Sequence, residues 1–331
     1  MTITTDARSI ATTRRTTMTP PPNVVIEPTV FPKHPKLARS GDVQPFPYQG
    51  SKRALASAII PLMGESVRVV EPFAGSAALS IAARLAGVSH SGVIADVNEP
   101  LMDLWQAIID EPENLADDYE ALWIEQREDP RAFFNLVRDR FNDTHQPADL
   151  LYLLNRIVKG AVRYGRDGRM NQGADHRRLG AKPATVRARV TGASRLMQGT
   201  EVIAAPYEQV LSKVDPATDV VYMDPPYQGT STSPDHRYIA NLQREAFEDE
   251  LRKLVDNGVR FIVSYDVITD DAKYGDPLDE SLGLKHLHVA AGASAQATLL
   301  GRKQLSVESL YLSPVLAENL DTDRLAAATL F

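Results

Sequence analysis

An acid followed by two prolines and a tyrosine, Asp224-Pro225-Pro226-Tyr227, is the stretch of this chain best suited to chemistry. The prolines lack backbone N–H groups and fix φ, so the carbonyls around them stay outside a sheet ladder. A carboxylate and a carbonyl can accept the two N–H hydrogens of a planar aromatic amine, and a tyrosine ring can stack on its heterocycle. The alternative interpretation is a strand that simply ends in a Pro-Pro turn.

The neighbouring elements predict where these groups lie in a fold. The short apolar run at 220–223 is typical of a buried parallel strand. Residues 67–71 predict an earlier strand, and residues 92–95 predict another that ends at Asp96. Ligands of open α/β sheets bind at the carboxyl ends of strands, so we expect Asp96 and Asp224 at one edge of a sheet.

The turn after the strand at 67–71 and the acid at Asp96 together favour a nucleoside ligand. The turn at 71–76 lacks the three glycines of a dinucleotide fingerprint, so no pyrophosphate is expected. An acid about 20 residues beyond such a turn commonly hydrogen-bonds ribose hydroxyls. The alternative is that Asp96 only caps a helix at 99–109. Helical spacing also predicts one helix over 52–63.

Positive charge is concentrated in one segment. The whole chain has a net charge of -7, yet residues 156–195 contain eleven Lys and Arg against two Asp, a net charge of +9. Glycines predict a loop or ribbon there, followed by a helix over 183–197. Basic residues among Tyr, Asn and Gln suit contacts with DNA, although a charge run is usually a solvated face. The candidate DNA contacts are Arg156, Lys159, Arg163, Arg166 and Arg169.

The composition excludes several classes of protein. The chain has no cysteine, which excludes thiolate nucleophiles, thiolate zinc sites and the zinc deaminases. No apolar run approaches the roughly 20 residues of a membrane span, so no membrane association is expected. Residues 1–42 are rich in Thr and Pro and predict a flexible arm, and residues 316–331 are interpreted as a tail.

Four stretches in one order resemble the Dam-type DNA adenine methyltransferases, of the alpha group of amino-methyltransferases. They are 48–52, 71–76, 96–98 and 224–227. The resemblance covers about residues 46–312 and implies an α/β fold, a Rossmann-like S-adenosylmethionine-dependent methyltransferase sheet with a small, mainly helical target-recognition insert. It implies a catalytic domain over 43–110 and 200–315, and a DNA target-recognition domain over 111–199.

The resemblance also implies roles for individual residues. S-adenosylmethionine would be held by Tyr48, Lys52, Glu71, Phe73, Asp96 and Asp224. The catalytic stretch would be Asp224, Pro225, Pro226 and Tyr227, and no metal would be needed. Lys52 suits the methionine carboxylate and Asp96 suits the ribose. Two departures stand out: Ala77 replaces a common glycine, and Val158-Lys159-Gly160 replaces an aromatic-Asn-Gly stretch.

The implied activity is site-specific transfer of a methyl group to the exocyclic amino group of adenine in DNA, after the base flips out of the helix. The alternatives are methylation of the cytosine amino group, methylation of adenine in RNA, and a DNA-binding protein without catalysis. The resemblance implies double-stranded DNA as partner and a cognate restriction endonuclease as a further candidate partner. We expect a monomer or weak dimer in the cytoplasm, encoded by a prokaryote or a phage.

Overall fold

The structure is a computed structural model that describes residues 42–64, 67–165, 167–226, 242–269, 272–274, 276–293 and 305–318. Arg166, Tyr227, nearly all of the predicted arm and most of the predicted tail lie outside these residues. The side chain of Lys159 is also outside the description.

Strands from both halves of the chain form one mixed sheet within the described residues. They are β1 (Val67–Glu71), β2 (Ser89–Asp96), β3 (Thr200–Ala204), β4 (Asp219–Met223), β5 (Arg260–Thr269), β6 (Ala272–Tyr274), β7 (Lys285–Ala293) and β8 (Leu305–Leu312). The order is β3-β2-β1-β4-β5-β8-β7, and β6 pairs with β5. β1 to β5 run parallel, whereas β8 runs antiparallel to both β5 and β7. The predicted Rossmann-like sheet is confirmed.

The strand order changes direction between β1 and β4. The chain runs outward from β1 through β2 to β3, and then crosses over to continue on the other side of β1. Open α/β sheets bind ligands in the crevice at such a switch point, outside the carboxyl ends of the strands. Glu71 ends β1 and Asp224 directly follows β4, so these two acids lie where a ligand is expected.

Helices cover both faces of the sheet. They are α1 (Ala56–Ile59), α2 (Ala78–Ala86), α3 (Glu99–Asp110), α4 (Pro112–Glu125), α5 (Pro130–Thr144), α6 (Pro147–Arg156), α7 (Pro183–Met197), α8 (Tyr207–Leu211), α9 (Arg244–Asp256) and α10 (Pro314–Glu318). Strand side chains alternate between the faces: Val220 packs with α1 and α2, and Val221 packs with α8 and α9. The core therefore has one layer on each side of β4.

The single helix predicted over 52–63 is wrong. The structure has a 3₁₀ turn at Lys52–Leu55, then the four-residue α1, then a second 3₁₀ turn at Ile60–Leu62. Pro61 interrupts the helix because it cannot donate the backbone hydrogen bond that the next turn requires. The helix predicted over 183–197 is confirmed as α7.

The predicted insert consists mainly of helices α4 to α7. Their buried residues belong to the same hydrophobic cluster as Trp105 of α3 and Ile81 of α2. The insert is thus held against the flank of the sheet by continuous apolar packing, while its exact boundaries stay a prediction. No helix in the described ranges is long and apolar enough to cross a membrane.

Candidate active site

A cavity of about 360 Å³ opens at the carboxyl ends of β1, β2 and β4. Its lining includes all six residues predicted to hold a cofactor, namely Tyr48, Lys52, Glu71, Phe73, Asp96 and Asp224. Pro225 and Pro226 line it as well, whereas Tyr227 lies outside the described residues. The structure therefore brings the described members of the predicted site together. The role of each residue stays a prediction.

Glu71 is buried beneath the first turn of α2. Its carboxylate accepts hydrogen bonds from the Ser80 hydroxyl at 2.5 Å, the Ser80 N–H at 2.9 Å and the Leu79 N–H at 3.4 Å. Burial raises the pKa of Glu71 to about 7, because these hydrogen bonds offset the loss of solvent only in part. These hydrogen bonds join Glu71 to the first turn of α2 and fix the start of that helix at the floor of the cavity.

A tight turn between β1 and α2 is held from three sides. The Gly75 carbonyl accepts a hydrogen bond from Trp105 Nε1 at 2.9 Å, and the Gly75 N–H donates to Asp96 Oδ2 at 3.2 Å. Gly75 has a φ of +48°, and a Cβ on it would lie 3.0 Å from the Tyr48 ring. Ala77 has a φ of +46°, which costs a non-glycine residue about 1–2 kcal/mol. This strain explains physically why glycine suits the position of Ala77.

Asp96 ends β2 and faces the cavity. Its Oδ1 accepts from the Asn98 N–H at 3.0 Å, in addition to the bond from Gly75. The alternative role of Asp96 as a helix cap is wrong, because the Asn98 side chain caps α3 by accepting from the Leu101 N–H. Burial raises the pKa of Asp96 despite the backbone hydrogen bonds. A carboxylate has about four acceptor positions, so Asp96 retains capacity for ligand hydroxyls.

Aromatic rings form one wall of the cavity. Phe73 and Tyr207 stack with their centroids 5.1 Å apart and an interplanar angle of 29°. Tyr207, Glu208 and Tyr222 also line the cavity, although they are not among the site residues predicted from the sequence. The sequence places Tyr207 three residues after the end of β3, and because β3 neighbours β2, this position could have indicated a residue near Asp96.

Lys52 lies against the acid of the Asp-Pro-Pro stretch. Only 8% of its side chain is exposed, and its Nζ lies 2.9 Å from Asp224 Oδ1 and 3.4 Å from Glu308 Oε2. Burial lowers the pKa of Lys52, but the carboxylates of Asp224 and Glu308 outweigh burial and raise it above its ordinary value. Lys52 is therefore a permanent cation at the side of Asp224.

The charge of the cavity lining favours a cationic ligand. Among the lining residues that the structure describes, four are acids, Glu71, Asp96, Glu208 and Asp224, and one, Lys52, is basic. Aromatic faces beside acids suit a sulfonium or ammonium group. A phosphate would meet net repulsion in the same place.

Arg156 does not fit its predicted role as a DNA contact. It is only 2% exposed, and its guanidinium donates to the backbone carbonyls of Arg178 and Pro130 and to the Tyr152 hydroxyl. These bonds join α6, the start of α5 and the basic segment. Arg156 therefore organises the segment from inside, and we withdraw it from the set of DNA contacts.

Other cations of the insert are accessible. Arg163 and Arg169 are exposed, and Arg169 pairs with Asp143 at 2.8 Å. A second cleft, of about 250 Å³, is lined by Asp129, Pro130, Arg131, Arg156, His176, Arg177, Arg178 and Leu179. The Arg177 and Arg178 side chains are each 82% exposed and approach Asp175 no closer than 3.6 Å. These arginines extend the predicted cationic surface beyond the residues chosen from the sequence.

The basic segment is attached to the rim of the cavity by a 3₁₀ turn, Val158–Gly160. The Gln49 N–H donates to the Gly160 carbonyl at 3.3 Å. Gly160 has a φ of +61°, and a Cβ on it would overlap the Pro47 carbonyl. Only glycine permits this approach, so the turn fixes the start of the segment beside Tyr48.

Comparison with known proteins identifies the family. Residues 48–291 match the family model described as D12 class N6 adenine-specific DNA methyltransferase. The chain belongs to this family. It is 29% identical over 190 residues to the retron Ec67 DNA adenine methylase of Escherichia coli, which covers 55% of this chain and 63% of that protein. It is 25% identical over 179 residues to the Type II methyltransferase M.MjaIII of Methanocaldococcus jannaschii, which covers 50% of this chain and 60% of that protein.

The residues matched by the family model include the lining of the cavity. The match runs from Tyr48 at the rim of the cavity into β7 and includes the whole basic segment. Glu308 of β8 lies beyond its end. The chain spans about three fifths of the length of the two curated relatives that it matches.

Proposed function

We propose that the protein transfers the methyl group of S-adenosylmethionine to the exocyclic amino group of adenine in DNA. The observation that carries this proposal is the position of Asp224. It follows β4 at the switch point of the sheet and shares one cavity with Asp96, Glu71 and Phe73. A substrate amine at Asp224 would therefore lie next to a nucleoside-type cofactor held along β1 and β2.

The cavity suits S-adenosylmethionine in charge and shape. Asp96 has acceptor capacity for ribose hydroxyls, and the stacked rings of Phe73 and Tyr207 offer an apolar wall for adenine. The excess of acids over bases favours the sulfonium and the ammonium of the methionine part. When bound, this cofactor would supply an activated methyl group with a good leaving group.

The residues around Asp224 would orient the acceptor nitrogen. An exocyclic amine is a poor nucleophile because its lone pair is delocalised into the ring. Hydrogen bonds from its two N–H groups to Asp224 and to the Pro225 carbonyl would favour a pyramidal nitrogen with its lone pair aimed at the methyl. Alignment of this kind can lower a barrier by about 7–11 kcal/mol. Tyr227 would stack on the flipped base.

Cations of the basic segment would hold the DNA backbone. Lys159, Arg163, Arg166 and Arg169 stay the predicted contacts, and we add Arg177 and Arg178 because both side chains are 82% exposed. Phosphate contacts from such residues supply affinity without sequence preference. A cognate restriction endonuclease, the oligomeric state and a cytoplasmic location stay predictions.

The test is incorporation of labelled methyl groups from S-adenosylmethionine into double-stranded DNA, followed by digestion to nucleosides. We expect label in N6-methyladenine with the wild type, and a loss of at least about 100-fold with Asp224→Asn. Asp139→Asn is a matched control, because that carboxylate is 64% exposed on α5. Label in cytosine, label in RNA but not in DNA when RNA is offered in a parallel assay, or no label at all would each replace the proposal by one of its alternatives.

A further inference from the structure

A row of polar side chains crosses the sheet beneath Lys52. Side chains alternate along strands, so Asp224 continues the face on which Tyr222 packs against α1 and α2. On β8, Glu308 shares a face with Leu310 of the same cluster, and it lies opposite Val289, which also belongs to that cluster. Two carboxylates from separate strands therefore point toward the same side of the sheet.

The strand between them supplies the middle of the row. β5 lies between β4 and β8, and its Ser264 hydroxyl is 2.8 Å from the Tyr222 hydroxyl. Ser264 is paired with Leu310, two residues from Glu308. The distance from Asp224 to Glu308 is thus set by the sheet itself, and Lys52 spans it from above with contacts of 2.9 Å and 3.4 Å.

The position of Lys52 creates a conflict with the proposed mechanism. The reaction needs Asp224 to accept from the substrate amine, and the ammonium of Lys52, 2.9 Å from Oδ1, competes with that amine for the negative charge of the same carboxylate. A buried positive charge needs a compensating negative charge. If Asp224 were its one carboxylate partner, the ammonium would bind Asp224 strongly and compete with the substrate amine. A second carboxylate shares the ammonium and weakens this competition. Glu308, which is 14% exposed, lies where it can do so.

We propose that Glu308 is a positioning residue for methyl transfer, which acts through Lys52 by holding its ammonium between two carboxylates so that Asp224 keeps capacity for the substrate amine. The inference rests on the proposed function. Glu308 was not among the predicted site residues, and it lies outside the part of the chain that matches the family model. It touches Lys52 and acts on the reacting atoms only through it.

The first test compares Glu308→Gln with Glu308→Asp in single-turnover methyl transfer at saturating DNA and cofactor. The glutamine keeps the size and removes the charge, whereas the aspartate keeps the charge and shortens the side chain. We expect Glu308→Gln to slow transfer about tenfold, as for loss of one charged hydrogen bond, and Glu308→Asp to recover part of this rate. A packing role predicts the reverse order, and that order would overturn the inference.

Glu201→Gln is the matched control. It removes a 61% exposed carboxylate from β3, at the far edge of the same sheet, and leaves the cavity intact. We expect its rate to stay within about twofold of the wild type. Thermal unfolding of every variant separates a loss of folded protein from a slower reaction.

A double-mutant cycle with Lys52→Gln tests the route of action. If Glu308 acts through Lys52, Glu308→Gln changes the rate less than about twofold in the Lys52→Gln background, since the ammonium is already gone. If Glu308→Gln slows methyl transfer by the same factor in the wild-type and the Lys52→Gln backgrounds, the inference is contradicted. If Lys52→Gln has no measurable rate, the relative transfer rates of Glu308→Gln and Glu308→Asp decide whether the inference holds. An inactive wild type would refute the proposed function, whereas an active wild type matched by Glu308→Gln refutes only this inference.

Discussion

The titration of Glu71 makes the stability of this protein depend on pH. Its pKa rises from an ordinary 4.5 to about 7 in the folded chain because the carboxylate is buried under α2. A carboxyl group with a raised pKa binds its proton more tightly in the folded state. Its contribution to stability is therefore complete below pH 4.5 and is lost as the pH rises through about 7. The difference between the two pKa values corresponds to about 3 kcal/mol.

Glu71→Gln removes this dependence with little change of shape, because an amide oxygen at the position of Oε2 can still accept from the N–H and the hydroxyl of Ser80, and only the weaker 3.4 Å bond from the Leu79 N–H is lost. Urea unfolding of both proteins from about pH 5 to about pH 7.5 provides the assay, and most of the effect falls in this interval. We expect the free energy of unfolding of the wild type to fall by about 2 kcal/mol relative to Glu71→Gln as the pH rises. A constant difference across the interval would show that Glu71 does not titrate there.

Two further substitutions test the attachment of the basic segment. Gly160→Ala should lower the free energy of unfolding by about 2 kcal/mol or more, because its Cβ would overlap the Pro47 carbonyl. Gly168→Ala is the control, since Gly168 has a similar φ of +73° and a Cβ there would have no atom within 4 Å. Equal losses of thermal stability in the two variants would contradict the steric explanation. Arg156→Met should destabilise the fold by about 2–4 kcal/mol because it removes the hydrogen bonds to the partly buried carbonyls of Arg178 and Pro130. Arg163→Met should keep the stability and weaken DNA binding. Loss of DNA binding by Arg156→Met at unchanged stability would restore Arg156 as a DNA contact.

The parts of the site that follow local rules could be predicted from the sequence. Short apolar runs that stop at Asp96 and before Asp224 predict strands with acids at their carboxyl ends, and parallel strands bring those ends to one edge. Gly75 similarly marks a tight turn. In these cases the residue type, its neighbours and its place in the chain were sufficient.

Features that depend on packing between distant segments could not be predicted. Glu308 follows Lys52 by more than 250 positions, and they meet only because β8 enters the sheet antiparallel beside β5. Arg156 resembles any other arginine of a basic run, yet Tyr152 and two backbone carbonyls surround it in the folded chain. Charge patterns in a sequence do not distinguish a buried arginine from a solvated one.

The separation of charge is consistent with the proposal that a chain of net charge -7 acts on DNA, a polyanion. Phosphates are attracted by the accessible arginines of the insert and repelled by the acids that line the cavity. In the proposed reaction a neutral base could enter the cavity and a sulfonium would be favoured there, whereas the backbone that carries the base would stay at the rim. The turn at Gly160 joins the two regions directly, because it fixes the start of the basic segment beside Tyr48. Under the proposed function, this charge pattern would favour the flipped base over the phosphates, and the attachment at Gly160 would determine where along the DNA the base can enter.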